Sequence, residues 1–311
     1  MILLKVNDLH TYFNTNKKII KAVRGVSFTL EKGKTLGILG ESGSGKSQTA
    51  MSILKLFTKN QKIYQGEIIF NNQIISEFSE KQMQKIRGKE IAIIFQDPVI
   101  SLNPSFKIKN QIIEILICHQ LITIEESLKK TLEILKKLKI NDPERVMELY
   151  PHQLSGGMCQ RIMIAMALVC EPKILISDES TTALDVIVQK EILSLMKIMQ
   201  KKHQTSILFI THDLGVVSEI SDDVIVMYKG KIVEKADIKE IFNNPLHPYT
   251  KSLLANFLKT GCLNYNNNID IDFFSAENKV FDFFNFKNYK KVDPDFFEVN
   301  KNHFILCNLK K

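Results

Sequence analysis

The chain has 311 residues, 44% of them hydrophobic and 24% charged, the balance of an ordinary globular protein rather than a disordered or fibrous one. Its net charge of +8 comes from lysines scattered among acids, with no basic stripe interleaved with aromatics, so no nucleic-acid partner is expected. No run reaches the ~18 apolar residues of a membrane span, and the five cysteines are widely spaced without a C-x-x-C, which fits a reducing compartment.

The N-terminal MILLKVNDLH carries Asp8 and no cleavage-like stretch, so no secretory signal is expected. Strand-like runs follow at Ile2–Val6, Val23–Leu30 and Leu36–Leu39. The third run leads into Gly40–Ser47, GESGSGKS, which fits G-x-x-x-x-G-K-[ST], and helical spacing begins at Lys46. Gly40, Gly43 and Gly45 therefore sit at a strand-to-helix turn. There the missing side chains let backbone N–H groups wrap an anion at a helix N-terminus. Ser42, Ser44 and Gln48 complete the candidate cradle. Lys46 would reach the β- and γ-phosphates of a nucleotide, and the Ser47 hydroxyl would ligate Mg²⁺.

Further strand-like runs lie at Glu67–Phe70 and Ile91–Phe95. Gln96 follows the second of these and precedes Asp97-Pro98, a place from which an amide can ligate Mg²⁺ or water and move with the segment beyond. Between Phe106 and Leu149 the strand signal vanishes and helical spacing remains, as in Glu125–Leu138, so a helical subdomain is expected at about 106–170. Leu154–Arg161 reads LSGGMCQR. Ser155, Gly156 and Gly157 open the helical pattern Met158–Cys170, so a hydroxyl, bare N–H groups and a helix dipole converge in a second anion cradle. A chain with its own phosphate loop has use for a second one if it meets the γ-phosphate held by another subunit.

Ile174–Glu179, ILISDE, reads as a buried strand ending in two carboxylates. Asp178 fits a Mg²⁺-holding aspartate, and Glu179 can orient or deprotonate an attacking water. After the helical pattern Val186–Lys202 comes the strand-like Ser206–Ile210, then His212, placed to hydrogen-bond a γ-phosphate. Val224–Met227 and Lys231–Glu234 complete the strands. Strands alternating with helices predict an α/β fold with a mostly parallel sheet covered on both faces. From Leu263 the text turns Asn-, Asp- and Phe-rich with poor periodicity, so a separate, weakly folded or partner-dependent appendage is expected there.

With these motifs in this order the chain resembles the ATP-binding subunits of ABC transporters. Gly40–Ser47 matches the Walker A motif, Gln96 the Q-loop and Leu154–Arg161 the signature. Ile174–Glu179 matches Walker B, Ala183-Leu184-Asp185 the D-loop and His212 the switch histidine. The text GESGSGKSQT, FQDPVISLNP, YPHQLSGGM, STTALDV, THDLGVV and HPYTKSLL is similar to the oligopeptide and dipeptide importer branch, most of all to the first ATPase subunit of an oligopeptide permease. The resemblance is dense to about Leu254 and thin beyond.

The resemblance implies a phosphate-loop NTPase core with an antiparallel β subdomain and the inserted helical subdomain. It places the ATPase domain at residues 1–255 and a divergent C-terminal appendage of the peptide-importer type at 256–311. It further implies ATP and Mg²⁺, and an aromatic stacked on adenine, here Phe13 with Tyr12 as the alternative. The implied partners are a second ATPase subunit, identical or different, two membrane permease subunits and an extracytoplasmic peptide-binding protein, with this chain peripheral on the cytoplasmic face of the membrane. A soluble relative acting on DNA or ribosomes, a subunit of a phosphonate-degrading complex and a non-hydrolysing subunit are the alternatives. Intact Lys46, Asp178, Glu179 and His212 speak against the last.

Three departures from the family pattern stand out. Ser180 follows Glu179 where the family has proline. Cys159 replaces an arginine or glutamine in the signature, which predicts weaker electrostatic attraction there. Of the four cysteines that the family often uses for an iron–sulfur cluster, only Cys262 and Cys307 have counterparts, so no cluster is expected.

Overall fold

The computed structural model describes residues 1–15, 18–181, 186–260, 273–276, 279–282 and 295–309. The chain runs β1 (Ile2–Asn14), β2 (Ile19–Glu31), β3 (Thr35–Leu39), α1 (Lys46–Ile53), β4 (Gln61–Phe70), β5 (Gln73–Ile74), α2 (Glu80–Gln84) and β6 (Ile91–Ile94). Five helices follow: α3 (Pro98–Ser101), α4 (Ile108–Gln120), α5 (Ile124–Lys137), α6 (Pro143–Met147) and α7 (Gly156–Leu168). Then come β7 (Ile174–Asp178), α8 (Val186–His203), β8 (Ser206–Thr211), α9 (Leu214–Ile220), β9 (Asp223–Tyr228) and β10 (Lys231–Asp237). The described part ends with α10 (Ile238–Asn243), α11 (Pro248–Thr260), β11 (Phe273–Ala276), β12 (Lys279–Asp282), β13 (Asp295–Asn300) and β14 (His303–Leu309).

Every residue of β3, β7 and β8 is buried. Such unbroken apolar strands are stable only with both sheet faces covered, and they pair in parallel, β3 with β8 and β9, and β7 with β8 and β6. Successive side chains of these strands feed two different cores. Leu175, Ile207 and Phe209 face a core shared with α4, α5, α7 and α8. Ile174, Ile176, Leu208 and Ile210 face a second core under α1, β1 and β2. The larger sheet has the order β11-β12-β14-β10-β9-β3-β8-β7-β6, with β13 against β14. The smaller one, β2-β1-β4-β5, is antiparallel and sits over α1. The α/β core, antiparallel subdomain and helical insertion are thus present. Among the described residues no strand lies between β6 and β7, and the helices begin at Pro98, earlier than the spacing suggests.

Among the described C-terminal residues, β14 joins the main sheet against β10, pairing Ile305 with Glu234, so this strand is built into the core rather than standing apart from it. His303, Ile305, Leu306 and Cys307 are all buried. Burial on both faces leaves no polar–apolar alternation in HFILC, and that absence hides the strand from a periodicity reading. A buried carboxylate fixes the junction. Glu234 accepts hydrogen bonds from the backbone N–H of Leu246 (2.8 Å) and His247 (3.0 Å), and its Oε1 lies 2.7 Å from His303 Nε2.

Candidate functional site

The phosphate loop leaves β3 and enters α1, as the glycine spacing requires. A Cβ at Gly40 would stand 2.3 Å from the Met227 carbonyl oxygen, and one at Gly45, with φ +105°, 2.6 Å from that of Ala22. Glycine is therefore obligatory at both positions. Ser44 Oγ is buried without a hydrogen-bond partner among the described residues, a polar atom suited to a ligand carried in the loop. Ser42 and Gly43 are exposed on its outer turn. Gln48 accepts a hydrogen bond from Gln61 Nε2 at 2.6 Å, which ties α1 to the antiparallel sheet.

Lys46 is 3% exposed, and its Nζ donates to the carbonyls of Gly40 (2.8 Å) and Glu41 (2.9 Å). Burial pushes its amine below the ordinary lysine value, against the pull of Glu179 and Asp178. Ser47 Oγ donates to Asp178 Oδ1 at 3.0 Å, bringing together two hard oxygen donors from residues 131 apart in sequence. Burial pushes the Asp178 carboxyl above its usual value, partly countered by the Ser47 hydrogen bond. A divalent cation would relieve that burial. The donor set fits Mg²⁺.

Glu179 is the hub. Its carboxylate lies 3.7 Å from Lys46 Nζ, accepts from Gln96 Nε2 at 3.2 Å and lies 3.4 Å from His212 Nδ1. Three motifs spread between positions 46 and 212 therefore converge on the carboxylate of a fourth at the carboxyl ends of the parallel strands. His212 is held by the start of α9: Asp213 Oδ1 accepts from the N–H groups of Gly215 and Val216, and Asp213 N–H donates to Thr211 Oγ1. Gln96 and His212 are both exposed, so each can also face a ligand.

Ser155, Gly156 and Gly157 stand elsewhere. Ser155 caps α7, accepting from Met158 N–H, and a Cβ on Gly156 or Gly157 would meet nothing within 4 Å. Among the described residues no hydrogen bond joins this cradle to the phosphate loop. Cys159 is 2% exposed and its thiol points at the Pro151 carbonyl oxygen at 3.6 Å, within the helical core.

Phe13 shares a sheet face with Thr11, whose hydroxyl meets Ser52 of α1, and pairs with Gln61, which reaches Gln48. Tyr12 points to the other face, its phenol 2.9 Å from His10 Nδ1 and its ring against Tyr64. Strand alternation thus turns Phe13, not Tyr12, toward the phosphate-loop helix. Asp185 and Cys262 lie outside the described residues. Cys307 is buried with Leu246, Val299 and Ile305, and among the described residues no group of three or more metal-binding side chains occurs.

One neighbour of the phosphate loop gives no signal in the sequence. Tyr249 OH accepts the Glu41 N–H at 3.0 Å, bracing the phosphate loop from α11, and burial pushes the phenol up to about 12. The text HPYTKSLL contains it, but nothing local to that segment gives the tyrosine a role.

The family model for ABC transporters matches residues 23–182. The chain is similar to the oligopeptide transport ATP-binding protein OppD of Bacillus subtilis (strain 168), with 52% identity over 254 residues, 81% of this chain and 71% of that protein. It is also similar to the dipeptide transport ATP-binding protein DppD of Lactococcus lactis subsp. cremoris (strain MG1363), with 44% identity over 315 residues, 97% of this chain and 89% of that one. The second match extends through the C-terminal region. Among solved structures, the dimeric post-hydrolysis state of the ATP-binding cassette MJ0796 bound to ADP and Pi is similar with a TM-score of 0.69 and 28% identity, covering 76% of this chain and 99% of that chain.

Proposed function

This chain belongs to the ABC transporter family, as an ATP-hydrolysing subunit, and from that premise we infer that it drives oligopeptide or dipeptide uptake through membrane permease subunits. The observation that carries the reading is the convergence of Lys46, Gln96 and His212 on Glu179 beside the Ser47–Asp178 pair. In this reading the loop Gly40–Gln48 binds the triphosphate, Phe13 stacks on adenine, and Lys46 leaves its carbonyl contacts to meet the β- and γ-phosphates. Ser47 and Asp178, with Gln96, would hold Mg²⁺, which when bound neutralises charge on the transferring phosphoryl group. Glu179 accepts the proton of the attacking water, Gln96 orients that water, and His212 donates a hydrogen bond to the γ-phosphate. A positioned base of this kind contributes about 10²- to 10⁴-fold in rate.

Ser155, Gly156 and Gly157 then serve the nucleotide of a second ATPase subunit, identical or different, with Asp185 at the same interface. Open space over both glycines supports that role. Closure on ATP and reopening after hydrolysis pass through Gln96 to the helices α3–α7 and so to a permease. No helix among the described residues is long and apolar enough to cross a membrane. The proposal places the chain peripherally on the cytoplasmic face. The peptide reaches the permease from an extracytoplasmic binding protein and never touches this chain. The ATPase domain of the proposal spans 1–255, with residues 256–311 as the importer-type extension. It includes no iron–sulfur cluster, because the sequence supplies two of the four thiols required.

Co-purification from membranes tests the reading. Permease subunits should accompany the tagged chain, and a labelled peptide should enter proteoliposomes of the complex only with ATP. Recovery with soluble lyase subunits or ribosomes instead would reject import.

A further inference from the structure

The structure assigns Ser180 a positioning role for Glu179, exerted through its hydrogen bond to Ser177, and the assignment rests on the reading of Glu179 as the base. Glu179 has a φ of +49°, in the left-handed region that a non-glycine residue rarely adopts. Such a conformation persists only where the surroundings over-determine it. On one side its N–H donates to the Ile210 carbonyl of β8 at 2.9 Å. On the other side the hydroxyls of Ser180 and Ser177 lie 2.5 Å apart.

Ser177 is an unusually firm anchor. Within the parallel sheet it is flanked by Ile94 of β6 and Phe209 of β8 and is 0% exposed; Ser180 is 2% exposed. Each buried hydroxyl is the other's partner, and either alone would be a buried polar group without a bond. One residue later, Gln189 Nε2 of α8 donates to Thr181 Oγ1 at 3.2 Å. The turn is thus held before, at and after the carboxylate that gathers Lys46, Gln96 and His212. A proline at position 180 would stiffen this turn through its ring. Here the hydroxyl pair takes that task, with a serine at each end of the bond.

The test measures phosphate release by the full chain within the membrane complex it purifies with. The variants are S177A, S180A, S177A/S180A and S177A/S180P, with E179Q as reference. Each single alanine variant should lower kcat about 5- to 10-fold and leave the KM for ATP within about twofold, because the shift falls on water activation and not on phosphate binding. The double alanine variant should be no slower than either single one, and S177A/S180P should return to within about twofold of wild type. Full kcat in both single variants, a raised KM at unchanged kcat, or no recovery in S177A/S180P overturns the assignment. Should a single alanine variant fail to assemble, S177A/S180P decides alone, wild-type kcat supporting the assignment and a lowered one overturning it. An active E179Q removes the base itself, whereas an inactive E179Q beside fully active serine variants removes only the serine pair.

Discussion

In the proposed mechanism Lys46 and Glu179 act on different terms of the same reaction, and single substitutions should separate them. Lys46 is buried with its amine on two carbonyls and a carboxylate, a donor poised to exchange those contacts for phosphate oxygens. Lys46→Ala should weaken ATP binding roughly 10- to 100-fold, the worth of one to two charge-assisted hydrogen bonds. Equilibrium titration with a fluorescent nucleotide reads this directly. Glu179→Gln keeps the shape and removes the proposed base. ATP affinity should stay within about threefold while steady-state hydrolysis falls by about 10²-fold or more. Normal turnover in that variant would exclude Glu179 from proton transfer.

At the scale of elements, α1 and α7 make the same device twice, a glycine-rich helix N-terminus, but only α1 is closed in by its own chain. Gly40 and Gly45 press on backbone, whereas Gly156 and Gly157 face open space. Gly157→Ala should therefore leave the thermal midpoint of the purified chain unchanged or raise it, since alanine gains up to about 1 kcal/mol over glycine in a helix. On the proposed role of the cradle, the same variant should lower ATP hydrolysis by the assembled complex at least about tenfold, because the added methyl group would meet the partner's nucleotide. If the cradle serves a second subunit, calorimetry of the chain will register no loss while phosphate release by the complex falls. A fall in the thermal midpoint would show a purely internal role.

Across the whole molecule, the junction of main sheet, α11 and β14 carries an acid sensitivity. His247 is 1% exposed, and burial pushes its imidazole down to about 3. The folded chain keeps this ring neutral while the unfolded chain protonates it near its ordinary value of 6.5. Between those two values the unfolded state binds the extra proton, so stability falls as pH falls, by at most about 1.4 kcal/mol per pH unit from this group. Asp178 and Asp223, whose carboxyls burial raises, act with the opposite sign, and their contribution is lost as pH rises through their folded values. Urea midpoints should therefore drop from pH 7 to pH 5, and His247→Gln should flatten that slope. A slope unchanged in the variant would place the sensitivity in another group.

How much of this was legible in the chain follows from how local each signal is. GESGSGKS, ILISDE and the strand before His212 place their candidate residues by backbone geometry alone, because a strand end followed by a turn fixes where the next side chain stands. The sequence by itself therefore determined the glycine loop between strand and helix, the two carboxylates at a strand end and the alternation of strands and helices that builds a parallel sheet. Tertiary structure alone decided that Gln96, Lys46 and His212 meet at Glu179, that Tyr249 braces the loop, that Cys159 turns inward and that β14 completes the sheet around Glu234 and His303. Those facts rest on which distant strands lie side by side, and no local period records a partner separated by tens of residues.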